Sequence, residues 1–117
     1  MTPVRLSTAH CSPLTAYVEL HARSAFSFLE GASVPEELIA AALALEMPAM
    51  ALLDRDGFYG SPRFHLAAKK HGIKAHIGAE ITVSSFEFRV SSSKNCDVIS
   101  LPLLVRNRTG YQNLCRL

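Results

Sequence analysis

The hydrophobic and polar positions of the chain first fall into alternating strand-like and helix-like segments. Aromatic and β-branched residues predict a short strand at 17–20. Apolar residues at spacings of three and four then predict a helix, which Ser33 would cap with Glu36 three positions later. Met47-Pro48 would end this helix, since the residue before a proline avoids helical angles. The unbroken apolar run 49–53 predicts a buried strand of a parallel sheet.

A second helix and a third strand repeat this arrangement. Ser61-Pro62 is typical of a helix start, and Gly72 is typical of a helix end. Residues 75–83 predict the third strand. The order strand, helix, strand, helix, strand indicates right-handed βαβ units around a parallel sheet. The expected fold class is therefore α/β, with about three parallel β/α units.

The last part of the chain predicts a different structure. Residues 86–90 alternate between polar and apolar, 91–95 are typical of a turn, and 98–105 form another extended run. This pattern predicts a β-hairpin. Asn107 or Thr109 would then cap a short C-terminal helix.

Length and composition limit the possible classes of protein. The 117 residues suit one domain or part of one, and the 49% hydrophobic content argues against disorder. The net charge of +2 is too small to indicate nucleic acid or an anionic membrane by itself, and no apolar run is long enough to span a bilayer. Residues 1–16 lack periodicity and any signal-peptide pattern, so they predict a flexible arm before a domain at 17–117. Scattered cysteines favour free thiols and the cytoplasm.

Titratable side chains follow all three predicted parallel strands. In chain order they are His21, Arg23 and Glu30, then Asp54, Arg55 and Asp56, and then Glu80. Because the carboxyl ends of parallel strands share one edge of a sheet, we expect these groups to lie close together. Histidines and carboxylates that converge in this way can form a metal site. Aspartates after a strand are also common turn residues, and a histidine there is commonly a packing or capping residue.

Three motifs resemble the PHP (polymerase and histidinol phosphatase) superfamily. Residues 20–33, LHARSAFSFLEGAS, are similar to its L-H-x-H-S-x-[FY]-S-x-L-D-G-A motif. Residues 51–60, ALLDRDGFYG, are similar to A-[LI]-T-D-H-D-G-x-[YF]-G, and residues 77–80, IGAE, to I-G-x-E. The final residues 103–117 look like the segment that follows in bacterial C-family polymerases, the DNA polymerase III alpha subunits. Details within 27–33 and 78–82 favour the error-prone branch.

The resemblance implies an incomplete PHP-type (β/α) barrel. The family barrel has about seven strand–helix units, and a polymerase palm follows it in the polymerases. We therefore expect a fragment: a truncated reading frame, a split gene or a pseudogene remnant. The parent would be a polymerase of DNA replication and of repair synthesis after damage, and the chain alone could not polymerise.

The resemblance also implies a set of metal positions, which this chain keeps only in part. In intact members the matching residues help to ligate two or three divalent metals, such as Zn²⁺ or Mn²⁺. His21, Glu30 and Glu80 retain ligand character, whereas Arg23 and Arg55 stand where the family has histidines. Asp54 and Asp56 would lie around these ligands without binding metal themselves.

The two arginines change the expected chemistry. A guanidinium is always protonated and has no lone pair for a metal. We therefore predict that the intact metal cluster does not form and that the chain carries no cofactor. Arg23 and Arg55 would instead pair with Glu30, Glu80 or Asp54.

Three functions remain open on the sequence. The first is a non-catalytic part of an error-prone polymerase alpha subunit, whose partner is the remainder of that polypeptide and which meets DNA only through the parent enzyme. The second is a metal-dependent PHP-type phosphoesterase, and the third is a small stand-alone interaction module. Metal content separates the second from the other two.

Overall fold

A computed structural model of the protein describes residues 17–84 and 98–117. The elements are β1 (Glu19–Ala22), α1 (Pro35–Ala44), β2 (Ala49–Arg55), α2 (Ser61–His71), β3 (Lys74–Ser84), β4 (Val98–Leu104) and α3 (Arg108–Cys115). The predicted arm and the predicted segments 86–90 and 91–95 lie outside the described residues.

The four strands form one curled, half-barrel sheet in the order β1-β2-β3-β4. β1, β2 and β3 are parallel, which confirms the predicted βαβ arrangement. β4 runs antiparallel to β3, from Ser84 opposite Val98 to Gly78 opposite Leu104. The extended run predicted at 98–105 is therefore a strand. Within the described residues its partner is β3, because the long third strand continues to Ser84.

The hydrophobic core lies between the sheet and the two long helices. Ile39 of α1, Phe64 of α2 and Leu52 of β2 are almost fully buried and belong to one cluster. Six of the seven residues of β2 are buried, which confirms the buried strand predicted from its unbroken apolar run. Burial of side chains of this size stabilises the fold by roughly 1.5 to 3 kcal/mol each. This packing holds the carboxyl ends of β1 and β2 in place for the site.

The boundaries of the first two elements differ from the prediction. β1 begins at Glu19, two residues later than expected, because its pairing with β2 starts where Glu19 lies opposite Met50. The N-cap of α1 is Val34 and not Ser33, since the residue before Pro35 is held in extended backbone. The Val34 N–H donates to Glu37, the third residue of the helix, at 3.2 Å.

The ends of the helices follow local backbone rules. α1 ends at Ala44, earlier than Met47-Pro48, and Leu45 donates its N–H to Ala41 at 3.0 Å. Gly72 follows α2 with a φ of 76°, which confirms the predicted left-handed helix end. Asn107 caps α3, because its side-chain oxygen accepts the Gly110 N–H at 2.8 Å.

Gly78 is required by the close approach of β4 to β3. A β-carbon at this position would overlap the carbonyl oxygen of Leu103 and would lie 3.1 Å from the side chain of Leu53. We therefore expect Gly78→Ala to lower the free energy of unfolding by about 1 to 3 kcal/mol, measured by urea denaturation.

Gly110→Ala provides the matched control for this substitution. Gly110 lies in α3, where an added β-carbon meets only the Asn107 side-chain oxygen at 3.5 Å. This variant should be neutral or stabilised by up to about 1 kcal/mol. Equal stability of the two variants would contradict the close β3–β4 approach.

Candidate functional site

The site begins with a buried carboxylate at the carboxyl end of β2. The Asp54 side chain is almost fully buried and accepts hydrogen bonds from two loops. Its Oδ1 accepts the Ser24 N–H at 2.9 Å and the Ser24 and Ser27 hydroxyls at 2.8 and 2.9 Å. Its Oδ2 accepts the Gly60 N–H at 2.9 Å. Asp54 thus ties the loop after β1 to the start of α2.

Alternation along β2 sends the next side chain to the opposite face of the sheet. Arg55 lies directly opposite Glu80 of β3 in the parallel register, so both belong to the same face. Ser27 also accepts the Arg55 N–H at 3.0 Å, which fixes this end of β2 against the loop. The predicted strand-end groups therefore do not all lie together. Asp54 lies on one face of the sheet, and Arg55 and Glu80 lie on the other.

Five side chains on the Arg55 side form what we call the ion-pair cluster: His21, Arg23, Glu30, Arg55 and Glu80. Arg23 Nη1 donates to Glu30 at 2.5 Å, and Arg23 Nη2 donates to Glu80. Arg55 donates to the other oxygen of Glu30. His21 Nε2 lies 2.6 Å from Glu80 Oε2. Both arginines therefore pair with glutamates, and neither pairs with Asp54.

Glu80 is the most enclosed member of the ion-pair cluster. Its side chain is 6% exposed and accepts hydrogen bonds from Ser100, His21 and Arg23. The hydroxyl of Ser100 makes the largest contribution, and together these donors lower the pKa of Glu80 from 4.5 to about 2, although burial raises it. Glu80 is thus held as a carboxylate.

Asp56, the residue after β2, links the end of β2 to β3. Its N–H donates to the Glu80 carbonyl at 2.8 Å, and its carboxylate accepts the N–H and hydroxyl of Thr82 at 2.7 and 2.9 Å. Its φ of 52° is left-handed, which aspartate tolerates in a turn. Within the described residues the Asp56 carboxylate forms one ion pair with the cluster, in which its Oδ2 lies 3.9 Å from Arg55 Nε.

Sequence reasoning missed the hydroxyl donors of the site. Ser24 and Ser27 lie inside the first motif, so their position between the ligand positions was the available signal. Ser100 had no such signal, because its contact with Glu80 depends on the register of β4 against β3. Glu80 also lies within β3 and not at its end.

The described residues do not fit a metal cluster. All four oxygens of Glu30 and Glu80 accept from a guanidinium, an imidazole or a hydroxyl. In residues 17–84 and 98–117 no group of three or more histidine, cysteine or acidic side chains is placed to hold a metal ion. Arg23 and Arg55 offer no lone pair to a cation. Their positive charges meet the carboxylates directly.

The fold is α/β, with three parallel strands, one antiparallel strand and the ion-pair cluster on one face of the sheet. The family model described as PHP domain matches residues 19–117, and the chain belongs to this family. The motifs at His21, Asp54 and Glu80 all lie within this match.

The relatives of the chain include error-prone DNA polymerases. The chain is 55% identical to the one from Nocardia farcinica over 71 residues, which cover 61% of the chain and 6% of the relative. It is 46% identical to the one from Dechloromonas aromatica over 104 residues, which cover 89% of the chain and 9% of the relative. The chain is thus homologous to a small part of these polymerases.

Two solved structures share the fold. An amidohydrolase from Chromobacterium violaceum, solved with sulfate and without metal, has a TM-score of 0.61 at 26% identity, over 86% of this chain and 33% of that one. A protein assigned as a metal-dependent phosphoesterase from Bifidobacterium adolescentis has a TM-score of 0.61 at 18% identity, over 90% of this chain and 34% of that one. The likeness to the second shows the fold alone.

Asp54→Asn tests the buried carboxylate. One oxygen becomes an amide nitrogen, and in either orientation this nitrogen faces a backbone donor, from Ser24 or from Gly60. We expect a loss of about 2 to 4 kcal/mol in the free energy of unfolding, measured by urea denaturation. Asp56→Asn, at a side chain that is 50% exposed, should cost at most about 1 kcal/mol. Equal losses would show that Asp54 does not organise the loops.

Glu80 predicts an acid-dependent stability. Its pKa is about 2 in the folded chain and 4.5 ordinarily, so its contribution is present above pH 4.5 and is lost as the pH falls toward 2. We expect the free energy of unfolding of the parent to fall more steeply over this range than that of Glu80→Gln. Glu36→Gln is the control, because a hydrogen bond from Arg63 lowers the pKa of that exposed carboxyl as well. Parallel curves for the parent and Glu80→Gln would contradict the assignment.

Proposed function

We propose that the chain is a non-hydrolytic PHP module of an error-prone DNA polymerase polypeptide in the cytoplasm. Its role is structural: it would support the remainder of that polypeptide during replication and repair synthesis after DNA damage, and it would meet DNA through the parent enzyme. Homology to error-prone polymerases over 86% to 89% of the chain supports this assignment. The chain spans 6% to 9% of the length of these relatives, so nucleotidyl transfer would reside elsewhere in such a polypeptide.

The ion-pair cluster is the single observation that carries the non-hydrolytic role. Arg23 joins Glu30 to Glu80, and Arg55 covers the second oxygen of Glu30. These two guanidiniums balance the two carboxylates, as divalent cations would in intact members of the family. In this proposal ion pairs replace the metal at the positions that hold it in other members of the family. Asp54 and Asp56 hold the loops around the ion-pair cluster. A PHP-type phosphoesterase would need metal-activated water at the same place.

Metal uptake by a double variant tests this proposal. Arg23→His with Arg55→His restores imidazole donors at both positions while leaving His21, Glu30 and Glu80 in place. After incubation with Zn²⁺ or Mn²⁺ and desalting, elemental analysis should find metal bound to the double variant. The unsubstituted 117-residue chain should hold less than about a tenth of an equivalent. The metal should also raise the Tm of the double variant and leave the Tm of the unsubstituted chain unchanged.

Arg63→His is the matched control, because Arg63 pairs with Glu36 away from the ion-pair cluster. It should take up no more metal than the parent. A parent chain that binds a full equivalent of metal and hydrolyses a phosphate ester would contradict the proposal and favour the phosphoesterase function. Circular dichroism establishes first that each variant is folded.

A further inference from the structure

The positive charge of the chain is concentrated in one segment. Residues 57–79 contain four of the twelve cationic side chains and none of the ten carboxylates. The rest of the chain has eight cations and ten carboxylates, which is a net charge of −2. The overall charge of +2 therefore comes from α2 and the start of β3.

Three of these four cations, all of them lysines, lie at the opposite end of the sheet from the ion-pair cluster. α2 connects the carboxyl end of β2 to the amino end of β3, so its last turn lies at the amino ends of the strands. Lys69 and Lys70 occupy that turn, and Lys74 begins β3. All three are exposed, and no carboxylate of the described residues forms a salt bridge with them within 4.0 Å.

A groove between α1 and α2 includes one of these lysines, Lys70. Its volume is about 350 Å³, and its lining residues are Glu36, Arg63, Leu66, Ala67, Lys70 and His71. The carboxylate of Glu36 is engaged by two nitrogens of Arg63 at 2.7 and 2.9 Å, so the charges at that end of the groove are balanced. Lys70 leaves the other end of the groove positive.

Helix stability accounts for only part of this pattern. Cations in a last turn interact favourably with the helix dipole, which explains Lys69 and Lys70. It does not explain Lys74, which lies beyond α2, or Leu66, whose side chain is 67% exposed in the groove. An apolar side chain that lines a groove together with Lys70 suits a ligand that presents both charged and apolar parts.

We propose that Lys69, Lys70 and Lys74, with the adjoining groove, form a surface for single-stranded nucleic acid. The ammonium groups would neutralise successive phosphates, and Leu66 would contact an unstacked base or sugar. A single strand offers such bases, whereas a duplex hides them in its stack. This inference rests on the proposed function, to which it adds a direct contact between this module and the nucleic acid.

Fluorescence anisotropy with a labelled oligothymidine of about 20 nucleotides tests the surface on the whole 117-residue chain. The parent should bind with an affinity that falls as salt rises from roughly 50 to 200 mM. Neutralising the three lysines in K69Q/K70Q/K74Q should weaken binding by about tenfold and reduce the slope of log affinity against log salt by about 2.

The matched control is R106Q/R108Q/R116Q, which removes the same charge from three exposed arginines in the last twelve residues. It should bind within about twofold of the unsubstituted chain, because these arginines are not part of the proposed surface, while the change in total charge matches that of the lysine variant. Equal weakening in the two variants would overturn the proposal, and so would tighter binding of duplex DNA or equal competition by polyglutamate. The substituted lysines lie away from the ion-pair cluster, so failure here would leave the metal result for Arg23→His with Arg55→His standing.

Discussion

The structure of the site depends on one buried carboxylate. Asp54 accepts four hydrogen-bond contacts from Ser24 and Ser27 in the loop after β1. It accepts a fifth from the N–H of Gly60, the residue before α2. An unpaired carboxylate at this depth would be strongly destabilising, so the loops must close around it. Ser27 reaches both the Asp54 side chain and the Arg55 N–H, so the buried layer also positions the charged one.

The second layer of the site holds two carboxylates, those of Glu30 and Glu80, through direct pairing with cationic side chains. Glu80 is nearly enclosed, and burial by itself would raise its pKa and favour protonation. Hydrogen bonds from Ser100, His21 and Arg23 hold the pKa low, so the carboxylate persists as part of the fold. Arg23 then extends the network to Glu30 and, through it, to Arg55. Together with Ser100 and His21, this network connects β1, β2, β3 and β4 to one another.

The two ends of the parallel strands carry different electrostatics. At the carboxyl end, the guanidiniums and carboxylates balance each other across the ion-pair cluster. At the amino end, Lys69, Lys70 and Lys74 have no such partner among the described residues. Burial and pairing thus fix charge near the motifs, while charge at the other end faces solvent.

None of the described helices is long and apolar enough to cross a membrane.

The sequence by itself determined the βαβ order, the buried run of β2, the Gly72 and Asn107 helix boundaries and the PHP motifs, because each depends on periodicity, local backbone rules or short spacing. It also identified Arg23 and Arg55 as unable to bind metal, which follows from guanidinium chemistry alone. Only the tertiary structure decided which carboxylate each arginine meets, because strand alternation places Asp54 and Arg55 on opposite faces. The contact of Ser100 with Glu80 was likewise beyond the sequence, since it requires the register of two strands whose contact residues lie 20 positions apart.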